Sequence, residues 1–335
     1  MAVPPRTLTL LRRLARSNGT TIDATVQAII RSWATAWEEL TPGWQQAIAG
    51  LLAQYERTGR WPSPWQVARI EAVARAQQST DRSLAGLLTD AADASRAAAA
   101  TVVEATAAAE PDIITSQRAG LTADSPPQRA VDTDLAARQR RISALHRPIR
   151  ADTLTLVGRV FTRPPTGRGV AGELLLAGVR AGFEAAAARV ATIARTEPVD
   201  AYRATSALVH TTNRRVLTRW AWLCACDRRS CPACWVMHGR QFPLETLGPQ
   251  GHGSCRCQRL PLTAGVTLPS AETRFRRLSR RDQLTVLGPG RNALYRAGDI
   301  SWGDLARLRT DRRWRDHYVP TPLADLNRIA GRRTA

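Results

Sequence analysis

A chain of 335 residues, 44 % of them hydrophobic, is long enough for two or three domains and can fill at least one sizeable core. Its formal charge of +20 is carried by arginine alone, since the sequence contains no lysine. No apolar run approaches the roughly 18 residues of a membrane span, and phosphate-loop and dinucleotide fingerprints are missing, which sets aside membrane-embedded and nucleotide-binding classes.

Arginine together with abundant alanine is what GC-rich codon usage produces, but codon usage does not explain an excess of base over acid. From Thr212 to Ala335 there are 23 arginines against nine acids, a net of +14, so most of the imbalance lies in the last third. A polyanion is the natural counterpart, and arginines directed at phosphates give salt-dependent binding without sequence preference.

The first twenty residues set Arg6, Arg12, Arg13 and Arg16 among leucines. They lack a cleavage site and a continuous apolar stretch, so they read as an amphipathic helix and not as a targeting segment. Thr20 or Thr21 is the expected cap of a helix whose Ile22, Val26, Ile29, Ile30, Trp33 and Trp37 recur mostly at spacings of three and four. Thr41–Pro42 and Ser63–Pro64 should open two more helices, each with proline in the first turn. Trp33, Trp37, Trp44, Trp61 and Trp65 are read as core or helix contacts, a partner surface being the other option.

From Trp65 to about Glu110 the pattern is helical and increasingly alanine-rich, and it should stop before Pro111. Such a helix packs closely on a neighbour or serves as a strut. The polar stretch Thr122 to Arg129, with two prolines, reads as a linker, and residues 163–169 as a second break after a short helical segment. A long helix from about Ala171 carries Leu175, Val179, Phe183, Val190 and Ile193 to near Thr196, and Pro198 opens another through Tyr202 and Val209.

The period then changes from 3.6 to 2. Val216, Thr218, Trp220, Trp222, Cys224 and Cys226 share one face of an expected strand, and residues 256–262 can be its antiparallel partner. All six cysteines fall between Cys224 and Cys257. Cys231-x-x-Cys234 can bite a tetrahedral zinc from one tight turn, and His252, Cys255 and Cys257, about 20 residues on, are the candidates for the remaining places. Buried or disulfide-bonded cysteines are the competing reading. Cys224 and Cys226 are expected to be core residues of the strand, with ligation as the alternative. Beyond it, Arg274, Arg276, Arg277, Arg280 and Arg281 form a basic helical run that is either a solvated face or a DNA contact.

These motifs carry a resemblance. Arg195-Thr196-Glu197, the Trp220 and Trp222 strand, Asp227-x-Arg229-x-Cys231-Pro232-x-Cys234, Gly239 with Phe242-Pro243, and His252-x-x-Cys255-Arg256-Cys257 together resemble the Mu F-like family of phage minor head proteins over about residues 185–262. Gly253 stands where that family usually has proline, and His238 where it often has aspartate. The resemblance implies a protein inside the procapsid in few copies, at the portal vertex, associating with the portal protein and with capsid or scaffold proteins. It would assist head assembly and the packaging or ejection of double-stranded DNA.

The expected architecture is mainly α: a helical domain over 1–121, a linker with short helices over 122–170, a zinc-stapled α+β module over 171–264, and a basic helical segment over 265–335. An enzyme is not expected. No H-x-E precedes Cys231 as a zinc deaminase requires, and H-E-x-x-H is missing. Neither a small-molecule substrate nor a membrane is expected as a partner. The rival is an HNH-type nuclease or another DNA-binding protein of a mobile element, with Asp316-His317 as the pair to activate water.

Overall fold

The structure, a computed structural model, describes residues 1–162, 172–311 and 315–334; the break expected at 163–169 lies outside the described residues. About 70 % is helix, and no described helix is long and apolar enough to cross a membrane. Four long helices dominate: α1 (Pro5–Thr58), α3 (Glu71–Thr115), α4 (Gln128–Thr162) and α5 (Gly172–Thr212), with the six-residue α2 (Pro64–Arg69) between the first two. Each long helix contains an interior proline: Pro42, Pro111, Pro148 and Pro198.

The expected boundaries at Thr20, Thr41, Pro111 and Pro198 are therefore not boundaries, and the short segment after the linker is a 35-residue helix. Packing accounts for α1. Its buried residues Ile22, Val26, Ile29, Trp33, Ala36, Leu40, Trp44, Ala47 and Leu51 continue at spacings of three and four straight through Pro42. An interior proline costs about 3 kcal/mol, whereas each large side chain in that stripe contributes about 1.5–3 kcal/mol on burial. The stripe wins. Thr41, freed from capping, donates its hydroxyl to the Trp37 carbonyl at 2.7 Å. Ser63 does cap as expected: its hydroxyl accepts from Gln66 N, and Gln66 Oε1 accepts from Ser63 N at 2.9 Å, with Pro64 in the first turn.

The chain forms two compact units, both discontinuous in sequence. One comprises residues 20–99 and 136–198 and is a bundle of helix segments with an aromatic core. Trp44 is fully buried, stacks on Phe161 at 5.5 Å and donates to Thr80 Oγ1 at 3.0 Å. Trp33 and Trp37 flank Phe183 at 4.8 and 5.7 Å, and Trp61 donates to the Phe161 carbonyl. Trp65 departs from the core reading: it is 67 % exposed, with the Arg69 guanidinium 4.3 Å from its ring centroid. In α2 only Val67 turns inward.

The other unit comprises residues 1–19, 100–135 and 199–335. Its centre is a three-stranded antiparallel sheet of β1 (Leu217–Leu223), β2 (Gln241–Phe242) and β3 (Gln258–Thr263), in the order β2-β1-β3. Trp220 is opposite Pro261 on β3 and Phe242 on β2, so the expected antiparallel partner is present. The strand ends at Leu223, however, and Cys224 and Cys226 lie beyond it. Gln117 fixes β3 through its side chain, donating to the Pro261 carbonyl and accepting from Thr263 N, each at 3.1 Å. At the other end of the sequence, Ala2 bridges Thr267 in parallel.

Residues 271–334 are more than a basic helical segment. They form α7 (Ala271–Arg276), α8 (Arg280–Leu287), α9 (Pro289–Ala297), a 3₁₀ turn (Trp302–Leu305), a two-stranded sheet of β4 (Ala306–Arg309) and β5 (His317–Pro320), and α10 (Leu323–Thr334). Phe275, Leu287, Trp302, Leu305 and Leu326 share one core with Trp220, Trp222 and Trp235. The arginine run is split between α7 and α8 because Ser279 caps α8, accepting from Asp282 N at 3.1 Å.

Candidate metal centre

Two short arms of chain carry the cysteines. After β1 the backbone reverses at Cys226, whose φ is +52°. Asp227 then organises a tight turn, its Oδ1 accepting from Arg229 N at 3.0 Å and from the Ser230 hydroxyl at 2.8 Å. Cys231 follows as the N-cap of α6 (Pro232–Met237), its sulfur accepting from Cys234 N at 3.4 Å. That geometry turns the two thiols of the Cys-x-x-Cys pair toward the same space. The second arm, residues 251–257, brings His252, Cys255 and Cys257. Gly251 has to be glycine because a Cβ there would sit 2.3 Å from Cys255 Sγ.

The arms meet. His252 Nε2 lies 3.1 Å from Cys231 Sγ and 3.5 Å from Cys234 Sγ, and Cys234 Sγ lies 3.7 Å from Cys255 Sγ. Tetrahedral coordination with metal–sulfur bonds of about 2.3 Å places neighbouring sulfurs about 3.8 Å apart, with sulfur–nitrogen edges slightly shorter. The observed separations fit that frame. Two triads have all their donor atoms within 4.8 Å of one another: Cys231, Cys234 and His252, and Cys234, Cys255 and Cys257. A cavity of about 20 Å³ opens onto Cys224, Cys231, Cys234, His252, Cys255 and Cys257. All six cysteines are free thiols, so the disulfide reading does not hold. The cluster can hold a metal ion.

Hydrogen bonding prepares the imidazole for that role. His252 Nδ1 is 2.7 Å from the Gly253 carbonyl, so Nδ1 carries the proton and Nε2 presents its lone pair to the thiols. Cys231 is held below the ordinary thiol range, first by the hydrogen bond from Cys234 and then by His252, and His252 is raised by Cys231 in turn. His238 does not join the cluster. Its Nδ1 sits 3.1 Å from both the backbone nitrogen and the carbonyl of Cys224, bracing that residue.

Arginines brace the arms as well. Arg256 reaches both carboxylate oxygens of Asp227, at 2.7 and 2.9 Å, tying the second arm to the first. Arg203, on α5 and buried, donates to the carbonyls of Cys255 and Cys257 at 2.9–3.1 Å and to Asp200 at 2.9 Å. Arg315 closes the group, donating to Asp200 and to the Gly251 carbonyl. Arg203 and Arg315 escaped the sequence reading because they meet the second arm across 52 and 64 positions. A signal was nonetheless present: Glu197, Asp200, Arg203, Ser206 and His210 recur at spacings of three and four on the buried face of α5, where apolar residues would be the rule.

A second buried network supports the sheet. His210 Nδ1 accepts from Arg259 Nε at 2.9 Å, so its Nε2 carries the proton and donates to Glu110 at 3.1 Å. Ser206 donates to the other Glu110 oxygen, and Arg259 also donates to the carbonyls of Thr246 and Leu244. Burial holds His210 below the ordinary imidazole range, so a neutral ring separates a carboxylate from a guanidinium.

The remaining sequence candidates sit as follows. Arg274, Arg276, Arg277, Arg280 and Arg281 are all exposed. Arg276 pairs with Glu272 at 2.7 Å, and Arg274 lies 5.8 Å from the Trp235 ring centroid. Asp316 and His317 are nearer the cysteine arms than their sequence position implied: β5 meets the second arm through the Gly251–Tyr318 bridge, and His317 is buried with Nδ1 2.8 Å from the Arg315 carbonyl.

No family model, curated protein or solved structure matches this chain. Its class is therefore defined by what it contains: a mainly helical protein with a small antiparallel sheet and a Cys/His cluster able to bind metal.

Proposed function

We propose that the chain is a phage minor head protein of the Mu F-like kind, resident inside the capsid near the portal, with zinc held in the cysteine cluster as a structural staple. The observation that carries the reading is the convergence of its motif residues. Asp227 pairs with Arg256, Cys231, Cys234, His252 and Cys255 face one another, and Gly239 donates its N–H to Trp222 of the tryptophan strand at 2.9 Å. These motif residues, separated along the sequence, are neighbours in space.

Zinc suits a donor set of thiolates and one imidazole at tetrahedral spacing. Four protein ligands leave no open coordination position for a substrate, which favours a staple over a catalytic ion. The five exposed arginines of α7, α8 and the turn joining them supply non-specific contacts for packaged double-stranded DNA. Portal, capsid and scaffold contacts complete the proposal as the resemblance gives them.

The test is quantitative mass spectrometry of virions purified from the source phage. A few copies per particle are expected, released with the head and not with the tail. A chain made during infection but missing from particles overturns the proposal.

A further inference from the structure

We propose that the cleft walled by the end of α6, by α7 and by the end of α9 docks a short acidic peptide segment of a partner protein, held toward each end by an arginine that has no partner within the chain. The cleft is distinct from the cysteine cluster, and its occupant does not depend on the reading of the chain as a head protein.

Two adjoining hollows make the cleft. One, of about 510 Å³, is lined by the apolar Val236, Ile300 and Trp302 together with Arg240, Glu272 and Gly303. The other, of about 460 Å³, is lined by Phe275, Gln283 and Arg296. Arg276, Tyr295 and Gly298 line both, which joins the hollows along one seam. Beneath the seam the Trp302 ring lies 5.0 Å from Phe275 and 5.5 Å from Tyr295, a continuous aromatic floor. A Cβ on Gly303 would stand 3.6 Å from Arg240 Nη2, so the Arg240 guanidinium reaches over a residue that has no side chain to fill the space.

The polar groups are divided unequally. Arg276, at the seam, is fully engaged with its neighbours: Nε donates to the Tyr295 hydroxyl at 3.0 Å and Nη2 to Glu272 Oε1 at 2.7 Å, while Tyr295 donates to the same oxygen at 2.7 Å. Arg240 and Arg296, one in each hollow, are exposed, and among the described residues their guanidiniums have no ion pair or hydrogen bond. A guanidinium presents a planar fork of donors that matches a carboxylate. Two such forks on either side of an apolar floor are complementary to a chain with an acidic side chain toward each end and an apolar one between them.

The same features weigh against nucleic acid as the occupant. A double helix is too wide to enter hollows of this size. A single strand carries a phosphate at every nucleotide and would set one against Glu272, whose Oε2 meets no donor among the described residues. A peptide offers that oxygen a backbone N–H instead.

The test is fluorescence anisotropy with the full-length chain, purified with zinc present. The probes are fluorescein-labelled octapeptides in which two glutamates flank a leucine at a series of spacings. At least one spacing should bind with a Kd below about 100 μM. Arg240→Ala and Arg296→Ala should each weaken it about tenfold or more; both side chains are exposed and unpaired, so the fold is not at stake. Arg219→Ala removes the same charge from an exposed position on β1 outside the cleft and should change binding less than about twofold. Bound peptide should also slow hydrogen exchange at 238–240 and 298–303. No binding at any spacing up to about 1 mM, an equal loss in Arg219→Ala, or unchanged exchange in the cleft overturns the proposal. A single-stranded oligothymidylate that displaces the peptide and depends on the same two arginines overturns it in favour of nucleic acid. None of these outcomes bears on whether the chain is present in virions, so this proposal and the head-protein reading fail separately.

Discussion

At Gly239 the backbone turns with φ +86°, and a Cβ there would lie 2.7 Å from the Pro269 carbonyl oxygen and 2.9 Å from that of Leu268. At Gly265 φ is +78° but nothing lies within 4 Å. The pair separates two costs. Gly265→Ala should lose about 1 kcal/mol from the left-handed conformation alone, and Gly239→Ala more than about 2 kcal/mol, because backbone must also move. Urea midpoints at constant slope read the difference; equal losses would mean that the close approach is not what fixes Gly239. His146 carries a pH effect. It is buried on α4, its Nδ1 donates to the Ile142 carbonyl at 2.8 Å, and its Nε2 meets no partner among the described residues. Burial, with smaller contributions from Arg189 and Arg96, lowers its pKa from the ordinary 6.5. The unfolded chain then binds the proton that the folded chain refuses. Stability is intact above about pH 6.5 and falls below it by up to about 1.4 kcal/mol per pH unit, until the folded pKa is reached. His146→Leu should flatten this part of the acid limb; an unchanged slope between pH 6.5 and 5 would contradict the assignment.

The long helices show local signals yielding to packing. Threonine before proline opens a helix at many sites, yet at Thr41–Pro42 it sits inside a 54-residue one. Replacing Pro42 by Ala restores a missing N–H under a stripe that is already continuous, and should raise stability by about 1–2 kcal/mol after the entropy gained by the unfolded chain is deducted. A lower melting temperature would show instead that the helix depends on the proline. Features set by near neighbours were legible in the sequence: the helix opening at Ser63–Pro64, the Cys231-x-x-Cys234 turn, and the change of period into a strand from Val216. Features set across long separations were not. Arg203 meets Cys257 across 54 positions and Glu110 meets His210 across 100, and the period of α5 that marks Arg203 and His210 does not encode their partners. The end of the strand at Leu223 is hidden in the sequence because the alternation continues through Cys224 and Cys226, whereas the backbone turns at Cys226.

At the scale of the whole chain, the groups that could hold a metal ion all belong to one of the two units. Stripping metal with a high-affinity chelator should therefore raise hydrogen exchange across β1, α6, β3 and the elements sharing their core. Residues 20–99 and 136–198 should keep their protection, since their aromatic core contains no cysteine. Uniform loss in both units would contradict this. The division also orders events at the ribosome. Thr267 donates its N–H to the Met1 carbonyl, 266 positions away, and Thr7 pairs with Ser116 in the same unit. At about 5–20 residues per second, the opening segment waits about 13–50 s for its last partner to be synthesised. Both segments of the aromatic bundle emerge during that interval. Residues 1–19 are synthesised well before residues 265–267, and their apolar side chains Val3, Leu11 and Leu14, buried in the finished molecule, must be kept from other partners until then.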